Sequence, residues 1–303
     1  MGTHKPELLR RRIKVFTRPL RHRLAWGALK MLALALGVLP LTWAQALGRG
    51  LGRCVGFCVR AESRAMAQRI AVAALAHRPS AGDCWADLGQ RLVELLVHPK
   101  VLPHVDVDPA AKRCLDEALA EGRGLVVATG HLGHWELMAA ALAREGYTVH
   151  STAARRRTGP VHRWLEETRA ALQVSTHTPG GGARGVMRIL KAGGAMGIFV
   201  DQNTGERGTE VSFLGHLAPT PLTCGRLVCR SDTALCVVWN LRHGKGYRVY
   251  ALPVATSVNT TPERVAQETS DILAAQIAKC PEQWVWQHDR WGRVIDDPPG
   301  SRK

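Results

Sequence analysis

Apolar and polar positions divide the chain into an apolar stretch near its beginning and a longer region in which helix and strand patterns alternate. Between residues 60 and 100, alanine, leucine and valine recur at helical spacing and predict two amphipathic helices, separated at Pro79 and Ser80. Beyond them, short apolar runs predict strands at 124–130, 147–151, 195–200, 235–239 and 247–254. Helical patterns lie at 135–144, 160–172, 183–191, 221–230 and 261–279. This alternation predicts an α/β fold with a largely parallel central sheet flanked by helices.

The beginning of the chain combines a basic segment with an apolar one. Residues 1–23 hold eight lysines and arginines against one acid, and residues 24–48 are mostly apolar with Lys30 as their single charge. A membrane-crossing helix needs about 20 apolar residues, and Lys30 and Pro40 interrupt this run. A spanning helix and a helix lying in the membrane interface therefore both stay open. We predict a basic cytoplasmic arm at 1–23, a hydrophobic membrane-anchoring segment at 24–59, and an α/β domain with N-terminal helices at 60–303.

Charge and cysteine content narrow the class of partner and the compartment. Forty-one lysines and arginines against 25 acids give a net charge of +16, which predicts nucleic acid, a phospholipid surface or a phosphorylated substrate as partner. Aromatic residues make up only 5% of the chain and do not interleave with the basic ones, which disfavours nucleic acid. The eight cysteines form no C-x-x-C pair, so we expect reduced thiols in the cytoplasm rather than a zinc ribbon.

The sequence GHLGHWE at 130–136 carries the clearest chemistry of the chain. His131 follows a predicted strand, and Glu136 lies five positions later, in the first turn of the next helix. A carboxylate placed there can fix the tautomer of the histidine and leave the other ring nitrogen free to take a proton from a hydroxyl. A second interpretation makes His131, His134 and Glu136 zinc ligands, but no H-E-x-x-H pattern supports it. The G-x-S-x-G of a serine hydrolase is also missing.

Four motifs resemble, in the same order, those of one enzyme family. They are GHLGHWE at 130–136, GIFVDQNTG at 197–205, the stretch VSFLGH to CVVW at 211–239, and PEQWVWQHDRW at 281–291. On these motifs, residues 120–292 resemble the late acyltransferases of lipid A biosynthesis, the lauroyl and myristoyl transferases of the lysophospholipid acyltransferase superfamily. The basic arm before an apolar segment is similar to the anchor by which that family binds the inner membrane, with its active site facing the cytoplasm.

The resemblance implies an O-acyltransferase of lipopolysaccharide biosynthesis that requires no metal or other cofactor. It makes His131 the base and Glu136 its acidic partner. For the oxyanion of acyl transfer, the candidate donors are backbone amides near Gly133, or Arg155. The implied donor is an acyl thioester of acyl carrier protein or coenzyme A. The implied acceptor is a hydroxyl of a lipid A precursor or related glycolipid, reached at the surface of membrane phospholipids. The residues in register with substrate-binding positions are Arg155, Asp201, Gln202, Phe213, Gly215 and Thr220.

One departure from the family pattern leaves the acceptor open. Where the family has Tyr-Arg-Pro followed by Asn-Pro, this chain has AARRRTGP at 153–160, so that Arg155 alone stands for the arginine. Relatives acylate other acceptors, including phosphoinositol mannosides and aryl-polyene or ornithine-type lipids. Two further classes stay open: a lipid hydrolase that uses the same residue pair on water, and a non-catalytic membrane-binding protein.

Overall fold

The computed structural model describes residues 5–152, 159–177 and 182–292, with side chains for 22–151, 159–177 and 184–292. Its helices are α1 (Lys5–Val38), α2 (Leu41–Cys58), α3 (Arg60–Val72), α4 (Ala81–Leu96), α5 (His98–Val101), α6 (Pro109–Ala120), α7 (Trp135–Arg144), α8 (Pro160–Ala171), α9 (Gly182–Lys191), α10 (Thr223–Ser231) and α11 (Pro262–Ile277). Its strands are β1 (Val105–Val107), β2 (Leu125–Thr129), β3 (Val149–Thr152), β4 (Ser175–His177), β5 (Ala195–Phe199), β6 (Thr209–Phe213), β7 (His216–Thr220), β8 (Ala234–His243) and β9 (Gly246–Pro253).

Seven strands form the central sheet in the order β1-β9-β8-β2-β5-β3-β4, and β6 and β7 form a separate antiparallel hairpin. Five of the six neighbouring pairs in the large sheet are parallel, and only β8 and β9 run antiparallel. Helices contribute to a hydrophobic core on each face of this sheet. The prediction of an α/β fold with a largely parallel sheet flanked by helices is confirmed.

Strand β2 lies inside the sheet and carries the chain to the edge where the site forms. All five of its residues, LVVAT, are buried, as expected for a parallel strand covered on both faces. Leu125 packs into the core on one face and Val126 into the core on the other. Strand β5 pairs with β2 in parallel register, with Thr129 opposite Phe199 at the end of the pairing. The carboxyl ends of β2 and β5 therefore meet at the same edge of the sheet.

Helix α1 is continuous through the predicted boundary between the basic arm and the apolar segment. It ends at Val38, and α2 begins at Leu41, directly after Pro40. Proline cannot continue the hydrogen-bonding of a preceding helix but suits the start of a new one. Among the described residues, no helix combines the length and the apolar character that a membrane crossing requires.

Helix α2 packs against α4 through glycines. Gly48, Gly52 and Gly56 are buried along one face of α2, four residues apart, and Gly89 of α4 lies against Gly48 and Gly52. A Cβ atom at Gly52 would overlap the backbone carbonyl of Trp85, so the absence of a side chain is what allows the two helices this close approach. The anchoring segment predicted at 24–59 is thus held in part against the α/β region.

A buried polar cluster fastens these helices to the sheet. Glu94 of α4 is fully buried and accepts hydrogen bonds from Gln45 at 2.8 Å, Arg242 at 2.7 Å and Tyr247 at 2.5 Å. The cost of burying the carboxylate is offset by this ion pair and the surrounding hydrogen bonds. The cluster connects α2, α4, β8 and β9 around one charge.

Candidate active site

His131 and Asp201 form a hydrogen-bonded pair at the carboxyl edge of the sheet. The ring Nδ1 of His131 lies 2.9 Å from Oδ1 of Asp201, and the backbone N–H of His131 donates to Oδ2 at 2.6 Å. His131 follows β2 and Asp201 follows β5, so the pairing of these neighbouring strands brings together two residues 70 positions apart. Gly130 permits this approach, because a Cβ atom there would overlap Asp201 and Leu273.

Asp201 is buried and its charge is strongly stabilised. Only 2% of the residue is exposed, and its Oδ2 also accepts a hydrogen bond from Nε1 of Trp284 at 2.9 Å. Burial by itself raises the pKa of the Asp201 carboxyl, but the charge and hydrogen bonds of His131 and the bond from Trp284 lower it to about 2. An ionised carboxylate can only accept, so Nδ1 of His131 carries a proton and Nε2 is the nitrogen left to act as base.

The same pairing makes His131 a stronger base. Burial lowers the pKa of the His131 imidazole, but the charge and hydrogen bond of Asp201 outweigh burial and raise it above its ordinary value. The ring is also held by aromatic contacts: it stacks on Phe199 with centroids 4.4 Å apart and meets Trp135 edge-on at 5.0 Å. The orientation of the histidine is therefore fixed on three sides.

Glu136 does not hold the ring of His131, which corrects the sequence-based expectation. Its carboxylate instead forms a two-pronged ion pair with Arg169 of α8, at 2.9 Å from Nε and 2.5 Å from the terminal nitrogen. Glu136 is in the first turn of α7 and directs its side chain toward α8, where Arg169 lies. It still acts on His131 at longer range, because its negative charge contributes to the raised pKa of the imidazole.

The loop between His131 and α7 is locked by backbone contacts. Gly133 adopts φ +63°, and a Cβ atom there would overlap the carbonyl of Asn240. The carbonyl of Gly133 accepts from Arg91 at 2.7 Å, and its N–H donates to the carbonyl of Gln283 at 3.0 Å. The side chain of Asn240 makes two hydrogen bonds to the backbone of His134: it accepts from the N–H at 2.8 Å and donates to the carbonyl at 3.1 Å. The Gly133 amide is therefore occupied and is not a free oxyanion donor.

His134 caps a helix in this structure, and the zinc interpretation finds no support in its geometry. The residue is buried, its Nε2 lies 3.0 Å from the carbonyl of Arg91, and its Nδ1 accepts from the N–H of Leu137. Burial lowers the pKa of His134 to about 4. Within the described ranges, no three His, Cys, Asp or Glu side chains converge in a way that would hold a metal ion.

Three of the residues predicted to bind substrate have roles in the packing of the β6–β7 hairpin. Phe213 is buried against Trp284 and Trp291. Gly215 adopts φ +87° in the turn of the hairpin, a conformation that favours glycine. Thr220 is fully buried and its hydroxyl accepts a hydrogen bond from Arg290. Their position in the sequence motif is therefore explained by folding contacts.

The other three residues predicted to bind substrate are Asp201, Gln202 and Arg155, and each has a different location. Asp201, expected to contact substrate, is buried as the partner of His131. Gln202 is exposed and lines a cavity that His131 also lines. Arg155 lies outside the described residues. Sequence reasoning missed Arg169 and the role of Trp284, although the location of Asp201 directly behind a strand was a signal for the pairing.

Two cavities lie near His131, and His131 itself lines one of them. One is a narrow, almost entirely apolar cavity of about 70 Å³ between the sheet and helices α6, α7 and α8. Phe199 and Trp135, the two rings that contact His131, line it together with Glu136, Arg169, Leu115 and Leu119. The other has a volume of about 150 Å³ and is lined by His131, Asp201, Gln202, Trp284, Val285 and His288.

The α/β sheet thus places a histidine–aspartate pair, an arrangement that suits general base chemistry, near a narrow apolar cavity. The chain belongs to the bacterial lipid A biosynthesis acyltransferase family, whose sequence model matches residues 13–293. The family predicted from the four motifs is confirmed.

Individual relatives are more distant. The chain is 26% identical over 191 residues to a phosphatidylinositol mannoside acyltransferase of Mycolicibacterium smegmatis, covering 61% of this chain and 62% of the relative. The enzyme of the same name from Mycobacterium tuberculosis H37Rv is 25% identical over 183 residues, or 58% of this chain and 57% of the relative. A lipid A biosynthesis palmitoleoyltransferase of Escherichia coli K12 is 28% identical over 112 residues, or 36% and 37%. The matches thus span less than two thirds of the length of these relatives.

Proposed function

We propose that this chain is a membrane-associated O-acyltransferase that transfers a fatty acyl group from an acyl thioester to a hydroxyl of a glycolipid. The observation that carries the proposal is the His131–Asp201 pair at the side of the apolar cavity. Family membership supports the same reaction, since the relatives are named for the acylation of phosphatidylinositol mannoside and for lipid A biosynthesis. The acceptor of this chain is accordingly a lipid A precursor or a related glycolipid.

The apolar cavity is suited to the fatty acyl chain. Its walls are side chains of β2, α6 and α7, including Leu119, Val127 and Met138, and they offer few polar groups. Burial of apolar surface contributes about 25 cal/mol per Å², so a hydrocarbon chain gains from entering and a sugar headgroup would lose its hydration. The Glu136–Arg169 ion pair also lines this cavity. The thioester carbonyl would then lie near His131.

The proton transfers follow from the tautomer of His131. Nε2 takes the proton of the acceptor hydroxyl while Asp201, still ionised, stabilises the imidazolium that forms. The acceptor oxygen attacks the thioester carbon to form the C–O bond, the C–S bond breaks, and the imidazolium returns the proton to the departing thiolate. Helix geometry leaves the N–H groups of Trp135 and Glu136, in the first turn of α7, without intrahelical acceptors. They are our candidates for stabilising the oxyanion.

An exposed apolar face on α1 and α2 supports membrane association. On α2, the exposed residues Trp43, Leu47, Leu51 and Val55 recur every four positions, in a stripe about 100° around the helix from its buried glycines. Exposed apolar residues of α1 are Leu24, Met31, Leu32, Leu34 and Val38. We propose that this surface, the apolar face of α1 and α2, lies on the cytoplasmic side of the inner membrane.

The test is acyl transfer by the purified full chain, reconstituted with phospholipid vesicles and lipid extract. Palmitoyl-coenzyme A and palmitoyl-acyl carrier protein are supplied separately, and mass spectrometry measures glycolipids that gain one acyl chain. The difference between the two donors identifies the carrier. Acceptor-independent loss of the thioester would support the lipid hydrolase instead, and an unchanged thioester would support a non-catalytic membrane-binding protein. His131→Ala is the inactive control, because loss of a general base costs roughly 100- to 10,000-fold.

A further inference from the structure

The cavity of about 150 Å³ that His131 lines differs in character from the apolar one. Besides His131, it is lined by the exposed side chain of Gln202 and by His288. The C-terminal segment that carries His288 is tied to the catalytic loop, because the N–H of Val285 donates to the carbonyl of His131 at 3.2 Å. The polar side chains on this side of the histidine are not explained by a need to hold a hydrocarbon chain.

A backbone contact fixes the tautomer of His288. Its Nε2 accepts a hydrogen bond from the N–H of Asn203 at 2.9 Å. A ring nitrogen that accepts carries no proton, so the neutral imidazole bears its proton on Nδ1. Burial lowers the pKa of His288, opposed by the charge of Asp201 and reinforced by that of His131, which keeps the ring neutral near pH 7. His288 therefore offers one N–H donor of fixed identity.

We propose that this cavity receives the polar end of the acceptor and that His288 binds it by donating Nδ1–H to an oxygen next to the hydroxyl that is acylated. The inference rests on the proposed function, since it requires a hydroxyl presented to Nε2 of His131. The ligand class is a polyol headgroup, such as a sugar or cyclitol, which carries a second oxygen beside the reacting one. A simple alcohol has no such oxygen and cannot use this bond. His288 is thus a residue that determines acceptor specificity.

Two substitutions separate this role from the anchoring of the Asn203 loop. In His288→Asn, the amide nitrogen can take the place of Nδ1 and keep the donor, but the acceptor for the N–H of Asn203 is lost. In His288→Gln, the amide oxygen can reach the place of Nε2 and keep the loop contact, but the Nδ1 donor is lost. Acceptor binding and loop anchoring therefore predict opposite rankings of the two variants.

The experiment measures transfer from palmitoyl-coenzyme A to octyl β-D-glucopyranoside and, separately, to 1-octanol. We expect His288→Gln to lower the ratio of kcat/KM for the glucoside to that for octanol by roughly three- to tenfold, the effect of one hydrogen bond. His288→Asn should keep most of this ratio. His77→Gln, which alters an exposed histidine elsewhere, is the matched control.

Equal ratios in His288→Gln and wild type would overturn the assignment, and so would a greater loss of the ratio in His288→Asn, because that ranking reports on loop anchoring. Failure of the proposed function has a different signature. The wild-type chain itself would then acylate neither the probes nor any lipid of an extract. That result would refute the proposed function and, with it, the proposed acceptor subsite.

Discussion

Asp201→Asn is the substitution that most directly tests the catalytic assignment. Two donors, the N–H of His131 at 2.6 Å and Nε1 of Trp284 at 2.9 Å, converge on Oδ2 of Asp201. An asparagine at this position must place its single oxygen there to satisfy both donors. Its NH₂ group then occupies the place of Oδ1 and donates to Nδ1 of His131. The imidazole would consequently carry its proton on Nε2, the nitrogen that has to accept one.

The expected loss is large because the base is present in the wrong tautomer. The corresponding aspartate-to-asparagine change in a serine protease triad lowers kcat roughly 10⁴-fold, equivalent to about 5.5 kcal/mol of activation free energy. We expect a loss of that order here. Asparagine has the shape of aspartate and keeps two of its hydrogen bonds, so the thermal midpoint of unfolding should change by only a few degrees.

Glu136→Gln is the matched comparison. Glutamine keeps an oxygen for Arg169 but removes the charge, and Glu136 is the weakest of the named influences on the pKa of His131. We expect a reduction of kcat of roughly tenfold or less, since one pKa unit corresponds to about 1.4 kcal/mol. The assay is single-turnover acyl transfer from palmitoyl-coenzyme A at saturating acceptor. An Asp201→Asn enzyme that keeps a tenth of wild-type kcat, beside a Glu136→Gln enzyme that loses a thousandfold, would refute the reasoning.

Three other predictions follow from the charges and surfaces described above. Neutral His131 is the base and Asp201 raises its pKa, so protonation of the ring should lower kcat/KM as pH decreases through a value above 6.5. NMR titration of the ring should show a lower pKa in Asp201→Asn than in the wild type. Glutamate at both Leu47 and Leu51 should weaken binding to anionic vesicles at least tenfold in a flotation assay, whereas Val258→Glu, at a fully exposed residue remote in the sequence, should not. Arg155→Lys should raise the KM for the glycolipid severalfold with the KM for the thioester unchanged, because lysine lacks the two-pronged geometry of arginine; equal effects on both would contradict an acceptor role.

The sequence was sufficient to predict the bounds of those helices and strands whose buried residues form a long apolar pattern. Helix α7 was predicted at its observed bounds, and β2 and β5 to within one residue at each end. Strands β1 and β4 were missed because three residues are too few to show a period. The β6–β7 hairpin was missed because its turn depends on Leu214 and Gly215 at positive φ, which no apolar pattern encodes.

The site was only half predictable for a related reason. Spacing along the chain suggested Glu136 as the partner of His131, because a loop and the helix that follows it are local neighbours. The observed partner, Asp201, reaches His131 only because β5 lies next to β2 in the sheet. Strand order depends on packing across the whole domain and is not written in any one segment. The location of Asp201 directly after a strand indicated which edge it would occupy, but not its neighbour there.

Helix α4 separates the apolar face of α2 from the catalytic loop by a single helix layer. Gly89 contacts α2, and Arg91, two residues later, holds the carbonyl of Gly133. Packed helix axes lie about 8–10 Å apart, and the glycines hold the backbones of α2 and α4 in direct contact. With α2 resting on the bilayer as proposed, His131 has a fixed height above the lipid surface. An acceptor must therefore present its hydroxyl at that height while its own chains remain in the membrane. In this arrangement the enzyme selects an acceptor by the distance its headgroup extends from the lipid surface, as well as by the chemistry of that headgroup.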